Sequence, residues 1–158
     1  MLKMNFPAIL SWMHSQKYAA ELEQKEQQIC ASVKAGEREY PLFVRICDEG
    51  HLLQILVFFP LHIPKGQIGD MARLLHLFNK ELDLPGFGMD EAQGIVFYRL
   101  LIPTPAKQVD EDLFSAFLKT AQHVCDLFIH PIGMVCSGQF TLDEILEKAA
   151  LDSKNNAT

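Results

Sequence analysis

Residues 85–99 read PGFGMDEAQGIVFYR. The stretch admits two readings that lead to different folds. A Gly-Phe-Gly turn with an acidic pair behind it can be a loop that cradles phosphate and carries a catalytic carboxylate. It can also be the turn between two strands. A phosphate loop sets backbone N–H groups at the N-terminus of a helix that follows a strand. Here the order is reversed. Upstream, Ile68, Met71, Leu75, Phe78 and Leu82 recur at helical spacing, with Leu74 widening the stripe; downstream, residues 95–102 are a dense β run. No Lys-Ser or Lys-Thr pair follows the glycines, and no third glycine completes a dinucleotide spacing. The stretch therefore reads as a helix exit, a short strand at 87–89, a turn at 90–94 and a long strand. Gly86 and Gly88 would allow a bend after Pro85, and Asp90 and Glu91 would sit at a solvated hairpin tip.

The flanking chain extends this pattern. Asn5 can cap a helix over 7–20, with Pro7 tolerated in its first turn. Ile29, Ala31 and Val33 alternate with Cys30, Ser32 and Lys34 as in a half-buried strand. Residues 42–47 form a second strand, Asp48-Glu49-Gly50 a hairpin turn, and 52–60 a third strand stopped by Pro60 and Pro64. A helix starting at Asp110 and Glu111 carries an apolar face to about Ile129, and Thr141-Leu142-Asp143-Glu144 opens a last helix as a capping box. The order is α-β-β-β-α-β-β-α-α. Hairpin-joined strands with helices around them make an α+β sandwich on an antiparallel sheet, not a parallel nucleotide-binding sheet. One domain spans 1–152, and 153–158 read as a frayed tail.

Composition narrows the function classes. The 158 residues are 49% hydrophobic, enough for a real core in a single domain. The net charge of −6 opposes a phosphate backbone, so no nucleic acid is expected. Cys30, Cys47, Cys125 and Cys136 form no Cys-x-x-Cys pair and read as buried thiols. The six histidines are scattered, so no metal site is expected, and no cofactor motif is present. The N-terminal apolar run is short, contains Pro7 and lacks a cleavage pattern, and no stretch approaches a membrane span; a cytoplasmic protein is expected. There is no nucleophile elbow and no His-Glu-x-x-His. Asp90/Glu91 and Asp110–Asp112 read as turn and capping carboxylates rather than acid/base dyads.

The strands carry more information. In the third, Leu53, Ile55, Val57 and Phe59 point one way, and Leu52, Leu56 and Phe58 the other, with Gln54. In the fifth, Ile95, Phe97 and Leu101 share a face with Arg99, opposite Val96, Tyr98, Leu100 and Ile102. Two apolar faces mean either that helices of the chain cover both, or that a second copy or a client chain covers one. Arg99 in an apolar row is either paired to a carboxylate or placed at an interface.

The order of elements resembles the fold of class I type III secretion chaperones, which are small acidic cytoplasmic homodimers. LLQILVFFPLHIP (52–64), LLHLFNKELDLPGFGMDE (74–91) and GIVFYRLLIP (94–103) also resemble the YbjN-like family of the same fold, through Asn79, Gly86, Phe87 and Arg99. The resemblance covers roughly 5–130, and the 130–151 extension is longer than a minimal chaperone requires. It implies a non-catalytic bacterial protein that binds extended segments of secreted effector proteins by strand addition and apolar pockets, keeping them export-competent without ATP. It further implies a homodimer with Leu74, Phe78, Phe87 and Tyr98 as interface candidates, and client contacts at Trp12, Met13, Val44 and Phe58. Two rivals stand beside it: a YbjN-like regulatory module that binds a folded partner, and an enzyme with no recognisable motif.

Overall fold

The computed structural model describes residues 1–156. In chain order the elements are β1 (Leu2–Lys3), α1 (Phe6–Ser15), β2 (Ala20–Glu23), β3 (Gln28–Ala35), β4 (Arg38–Cys47), β5 (Leu52–His62), α2 (Ile68–Glu81), β6 (Phe87–Asp90), β7 (Ile95–Pro103), β8 (Gln108–Val109), α3 (Glu111–Ser137) and α4 (Leu142–Asn156). Six strands form one antiparallel sheet in the order β2-β3-β4-β5-β7-β6. β1 and β8 form a separate two-stranded ladder that ties the N-terminus to the segment before α3.

Sequence pattern and local chemistry explain most boundaries. The Asn5 carboxamide accepts a hydrogen bond from the Ala8 N–H at 2.9 Å, capping α1. Asp110 does the same for α3, accepting from Leu113 N–H at 2.9 Å. Thr141 and Glu144 close the expected capping box: Glu144 N–H donates to Thr141 Oγ1 at 3.2 Å and Thr141 N–H to Glu144 Oε2 at 3.1 Å. At the β4–β5 turn Gly50 takes a φ of +93°, and Asp48 and Glu49 are also left-handed.

Four elements depart from the expected boundaries. α1 stops at Ser15 because Lys17 turns left-handed at φ +67°, which frees 20–23 to pair with β3 as an edge strand. β5 runs through Pro60 because the register with β7 shifts between Phe58 and His62. A proline, with no N–H to donate, is tolerated in that irregular step. α3 continues past Ile129 and through Pro131 to Gly138. The lost helical hydrogen bond is offset by burial of Ile132, the next residue, and Val135, one turn on. α4 extends to Asn156, through most of the tail expected to fray, with no Gly or Pro there to end it; residues 157 and 158 lie outside the described residues. Among the described residues no helix is long and apolar enough to cross a membrane.

The core lies on one side of the sheet. Ile29, Val33, Tyr40, Leu42, Val44, Leu53, Ile55, Val57, Tyr98 and Leu100 are almost fully buried, and they meet Ile9 and Met13 of α1, Met71 and Leu74 of α2, and Phe114 and Leu118 of α3. The alternate positions of the same strands are mostly half-buried or exposed, with Leu56 and Gln28 the buried exceptions. The helices thus share one face, and of the two alternatives the sequence left open, helices covering both faces is not the arrangement found.

Tyr40 is wholly buried, edge-on to Phe59 at 5.6 Å, and its hydroxyl has no hydrogen-bond partner among the described residues. Burial pushes its pKa up to about 12. A buried unpaired hydroxyl costs about 1–3 kcal/mol. Tyr40→Phe should therefore raise stability by about 1 kcal/mol, read as a higher urea midpoint at unchanged slope.

Candidate binding face

The bare side of the sheet forms cross-strand rows. Cys30, Phe43, Leu56 and Arg99 lie opposite one another across β3, β4, β5 and β7. The next row toward one end holds Arg45, Gln54 and Leu101; the next toward the other holds Phe58, Phe97 and Gly88. Phe43 packs edge-on against Phe58 at 5.5 Å, and Phe58 against Phe97 at 6.3 Å. Leu56 sinks between these side chains to 7% exposure, while Leu101 stays 46% exposed. The register shift after Phe58 opens a groove of about 520 Å³ lined by Pro41, Phe43, Phe58, Leu61, Gln93 and Ile95 among others.

Two arginines sit in this apolar stripe. Arg99 is exposed, with its guanidinium 6.0 Å from the centre of the Phe97 ring, and it makes no ion pair among the described residues. Arg45 donates from Nε to Gln28 Oε1 at 2.7 Å, and Gln28 in turn donates to Glu23 Oε2 at 2.6 Å. The Gln28 and Cys30 hydrogen bonds hold the Glu23 carboxyl below its ordinary pKa. Burial and the Glu23 contact push the Cys30 thiol up to about 11, so it is protonated at neutral pH and a poor nucleophile. Burial also pushes Cys125 up to about 12. Among the described residues no group of three or more His, Cys, Asp or Glu could hold a metal ion.

The stretch 85–99 resolves into structure rather than chemistry. Asp90 ends β6 and makes the turn: its carboxylate accepts from Gln93 N–H at 3.0 Å and its carbonyl from Gly94 N–H at 2.8 Å, with Gly94 at φ +66°. Gly86 and Gly88 serve close approach instead of a bend. A Cβ on Gly86 would lie 2.0 Å from the Arg99 carbonyl oxygen, and one on Gly88 would lie 2.5 Å from the Phe97 ring. The side chain of Asn79 completes the edge strand. Its Oδ1 accepts from Gly86 N–H at 3.1 Å and Phe87 N–H at 2.9 Å, and its Nδ2 donates to the Phe87 carbonyl at 3.0 Å. Arg99 N–H donates to the Gly86 carbonyl at 2.9 Å. Asn79, Gly86, Phe87 and Arg99 thus converge on one structural lock at the sheet edge.

The structure disperses the other candidates. Trp12, Met13 and Val44 are buried in the chain's own core, so their side chains have no area left for a client. Leu74, Phe87 and Tyr98 are buried too. Phe87 packs on Phe59, Phe78, Tyr98 and Phe128, and the Tyr98 hydroxyl donates to the Leu84 carbonyl at 2.6 Å. This burial has one cause: each of these side chains lies on the helix-covered side of the sheet, where large apolar groups are consumed by folding. Only Phe58, on the bare face, and Phe78, half-buried on α2, keep accessible surface. Phe43 and Leu56 complete the bare face. The sequence signal for that face is the pair of arginines, since Arg99 shares the row of Phe43 and Leu56, Arg45 lies in the neighbouring row, and an uncovered face tolerates them.

Comparison with solved structures finds the same fold in a chain of a structure titled "Structure of the HopA1-SchA Chaperone-Effector Complex". The TM-score is 0.53 at 12% identity, covering 76% of this chain and 88% of that one. Comparison with curated proteins gives no match. The family model named YbjN, described as "Putative bacterial sensory transduction regulator", matches residues 7–134, a span from the first turn of α1 to the last turn of α3 that includes the whole sheet and the Asn79–Gly86–Arg99 lock. The chain belongs to the YbjN family and shares its fold with a chain of that chaperone-effector complex.

Proposed function

We propose that this protein is a non-catalytic binding module that holds a segment of a partner protein on the bare face of its sheet. The observation that carries the reading is the apolar stripe of Phe43, Leu56, Phe58, Phe97 and Leu101, which four helices leave uncovered. A few such side chains, each gaining about 1.5–3 kcal/mol on full burial, suffice to hold a segment. In the chaperone-like form of the reading, the partner is a secreted effector protein kept soluble and export-competent in the bacterial cytoplasm. The chaperone would work as a homodimer, with Phe78 the interface candidate that keeps exposed surface. Light scattering would report the mass against 17.9 kDa for one chain.

The family description favours a second reading, a regulatory module that binds a folded protein. Affinity capture from the native cytoplasm with mass spectrometry separates the two. Recovery of secreted proteins through their N-terminal segments supports the chaperone; recovery of folded cytoplasmic proteins supports the regulator. In either case Phe58→Asp should lower recovery about tenfold or more while leaving the fold intact, because Phe58 lies half-buried outside the core. Unchanged recovery would remove the bare face from the reading.

A further inference from the structure

Arg99 is the one exposed cation in the middle of the apolar stripe, and no carboxylate among the described residues pairs with it. It projects between Phe97 and Leu101 along β7 and lies opposite Leu56 on β5. The central rows of β4, β5 and β7 carry Arg45 and Arg99 but no carboxylate; the acidic groups of this face, Glu21 and Glu23 on β2, Glu39 at the start of β4 and Asp90 on β6, lie at its margins. The charge of these central rows is therefore opposite to the −6 of the whole chain. Covering an unpaired guanidinium with apolar surface is costly, so whatever buries this stripe must bring the counter-charge with it.

The dimensions of the stripe narrow the occupant. From Ile95 to Leu101 is six residues of strand, or roughly 20 Å at 3.3 Å per residue. Phe43, Leu56 and Phe97 span three adjacent strands, or roughly 10 Å at 4.8 Å per spacing. An added strand would cover about half that width, whereas a helix about 10 Å across covers it, and about 13 residues at 1.5 Å each cover its length. A second copy centred on the same rows would set its own Arg45 and Arg99 against this pair, with the carboxylates of the face only at its margins. The chain's own acidic amphipathic helix, α4, is already spent: Leu142 and Ile145 are buried within the chain, and Asp143 pairs with Arg73 of α2 at 3.3 Å.

We propose that Arg99 is the specificity residue of this face. The occupant is an amphipathic helix of a partner protein that presents an Asp or Glu inside its apolar stripe, about one helical turn from one end. This rests on the binding-module reading and adds the chemistry of the partner. Arg99 makes the salt bridge at the centre of the contact, and the surrounding Phe58, Phe97 and Leu101 exclude water from it. The row alternation fixes where the carboxylate must lie: two strand residues from Leu101 and four from Ile95.

The test is a displayed library of 14-residue peptides with an apolar stripe and one randomised position per peptide. It is selected in parallel against the full wild-type chain, Arg99→Glu and Phe58→Asp, each shown by circular dichroism to be folded. The wild type should enrich Asp or Glu at one stripe position. Arg99→Glu should bind those winners about tenfold or more weakly and enrich Lys or Arg at the same position, and Phe58→Asp should enrich nothing. Identical winners for wild type and Arg99→Glu, without acidic preference, would overturn the role of Arg99 while leaving the face intact. Enrichment that survives Phe58→Asp, or none with the wild type, would overturn the face itself. A dimer that Phe58→Asp dissociates would mean that a second copy covers the stripe, and would overturn the helical partner.

Discussion

Gly86→Ala is expected to cost the protein about 4 kcal/mol or more, a loss that few single substitutions reach. The reason is geometric. A Cβ at that position would stand 2.0 Å from the carbonyl oxygen of Arg99, which is backbone of a central strand and cannot rotate away. β6 would have to move off β7, and the move would break the Arg99–Gly86 backbone hydrogen bond and the three hydrogen bonds through which Asn79 holds Gly86 and Phe87. It would also pull Phe87 out of the aromatic cluster with Phe59, Phe78, Tyr98 and Phe128. Against a typical total stability of about 5–15 kcal/mol, such a loss leaves little folded protein at 37 °C. Urea denaturation of the purified variant measures it. A midpoint within a few tenths molar of wild type would mean that the edge strand can shift freely, and that the lock contributes little to stability.

Trp12→Ala should cost about 3–5 kcal/mol, the range for truncating a buried large aromatic. Trp12 is 8% exposed and lies 4.8 Å from the Phe114 ring, so its removal opens a cavity where α1 meets α3. The same residue separates two roles that its size alone does not distinguish. A core tryptophan lost to alanine lowers the melting temperature while whatever remains folded at low temperature still binds the partner. A contact tryptophan does the reverse. Thermal unfolding and partner capture at 10 °C on one preparation decide between them. Lost binding with unchanged melting would return Trp12 to the partner surface.

The fold was legible because its signals are local. The helical spacing of Ile68, Met71, Leu75 and Phe78, the alternation in β5 and β7, the glycine at the β4–β5 turn and the caps at Asn5, Asp110 and Thr141 each report on a few neighbouring residues. Where a local rule met a competing distant contact, it failed. Pro60 did not stop β5, because the register shift against β7 gave its ring a place. Pro131 did not stop α3, because Ile132 and Val135 found burial beyond it. β2 has only four residues, two of them acidic, and its strand character comes from pairing with β3. The candidate contact residues were the least legible, because the sequence lists apolar positions without saying which ones the chain itself will bury.

Sequence alone marked an α+β fold built on hairpin-joined strands, with a net acidic charge and no recognisable catalytic motif. It also marked both faces of β5 and β7 as apolar. Tertiary structure decided which of those faces is free. Alternation places side chains on two sides of a strand but assigns no helix to either side. That choice depends on where α1, α2 and α3 dock, and all three dock on the face of Val57 and Tyr98. The opposite face, with Phe58, Phe97 and Arg99, is left as surface because only the burial of one face was needed to fold the chain.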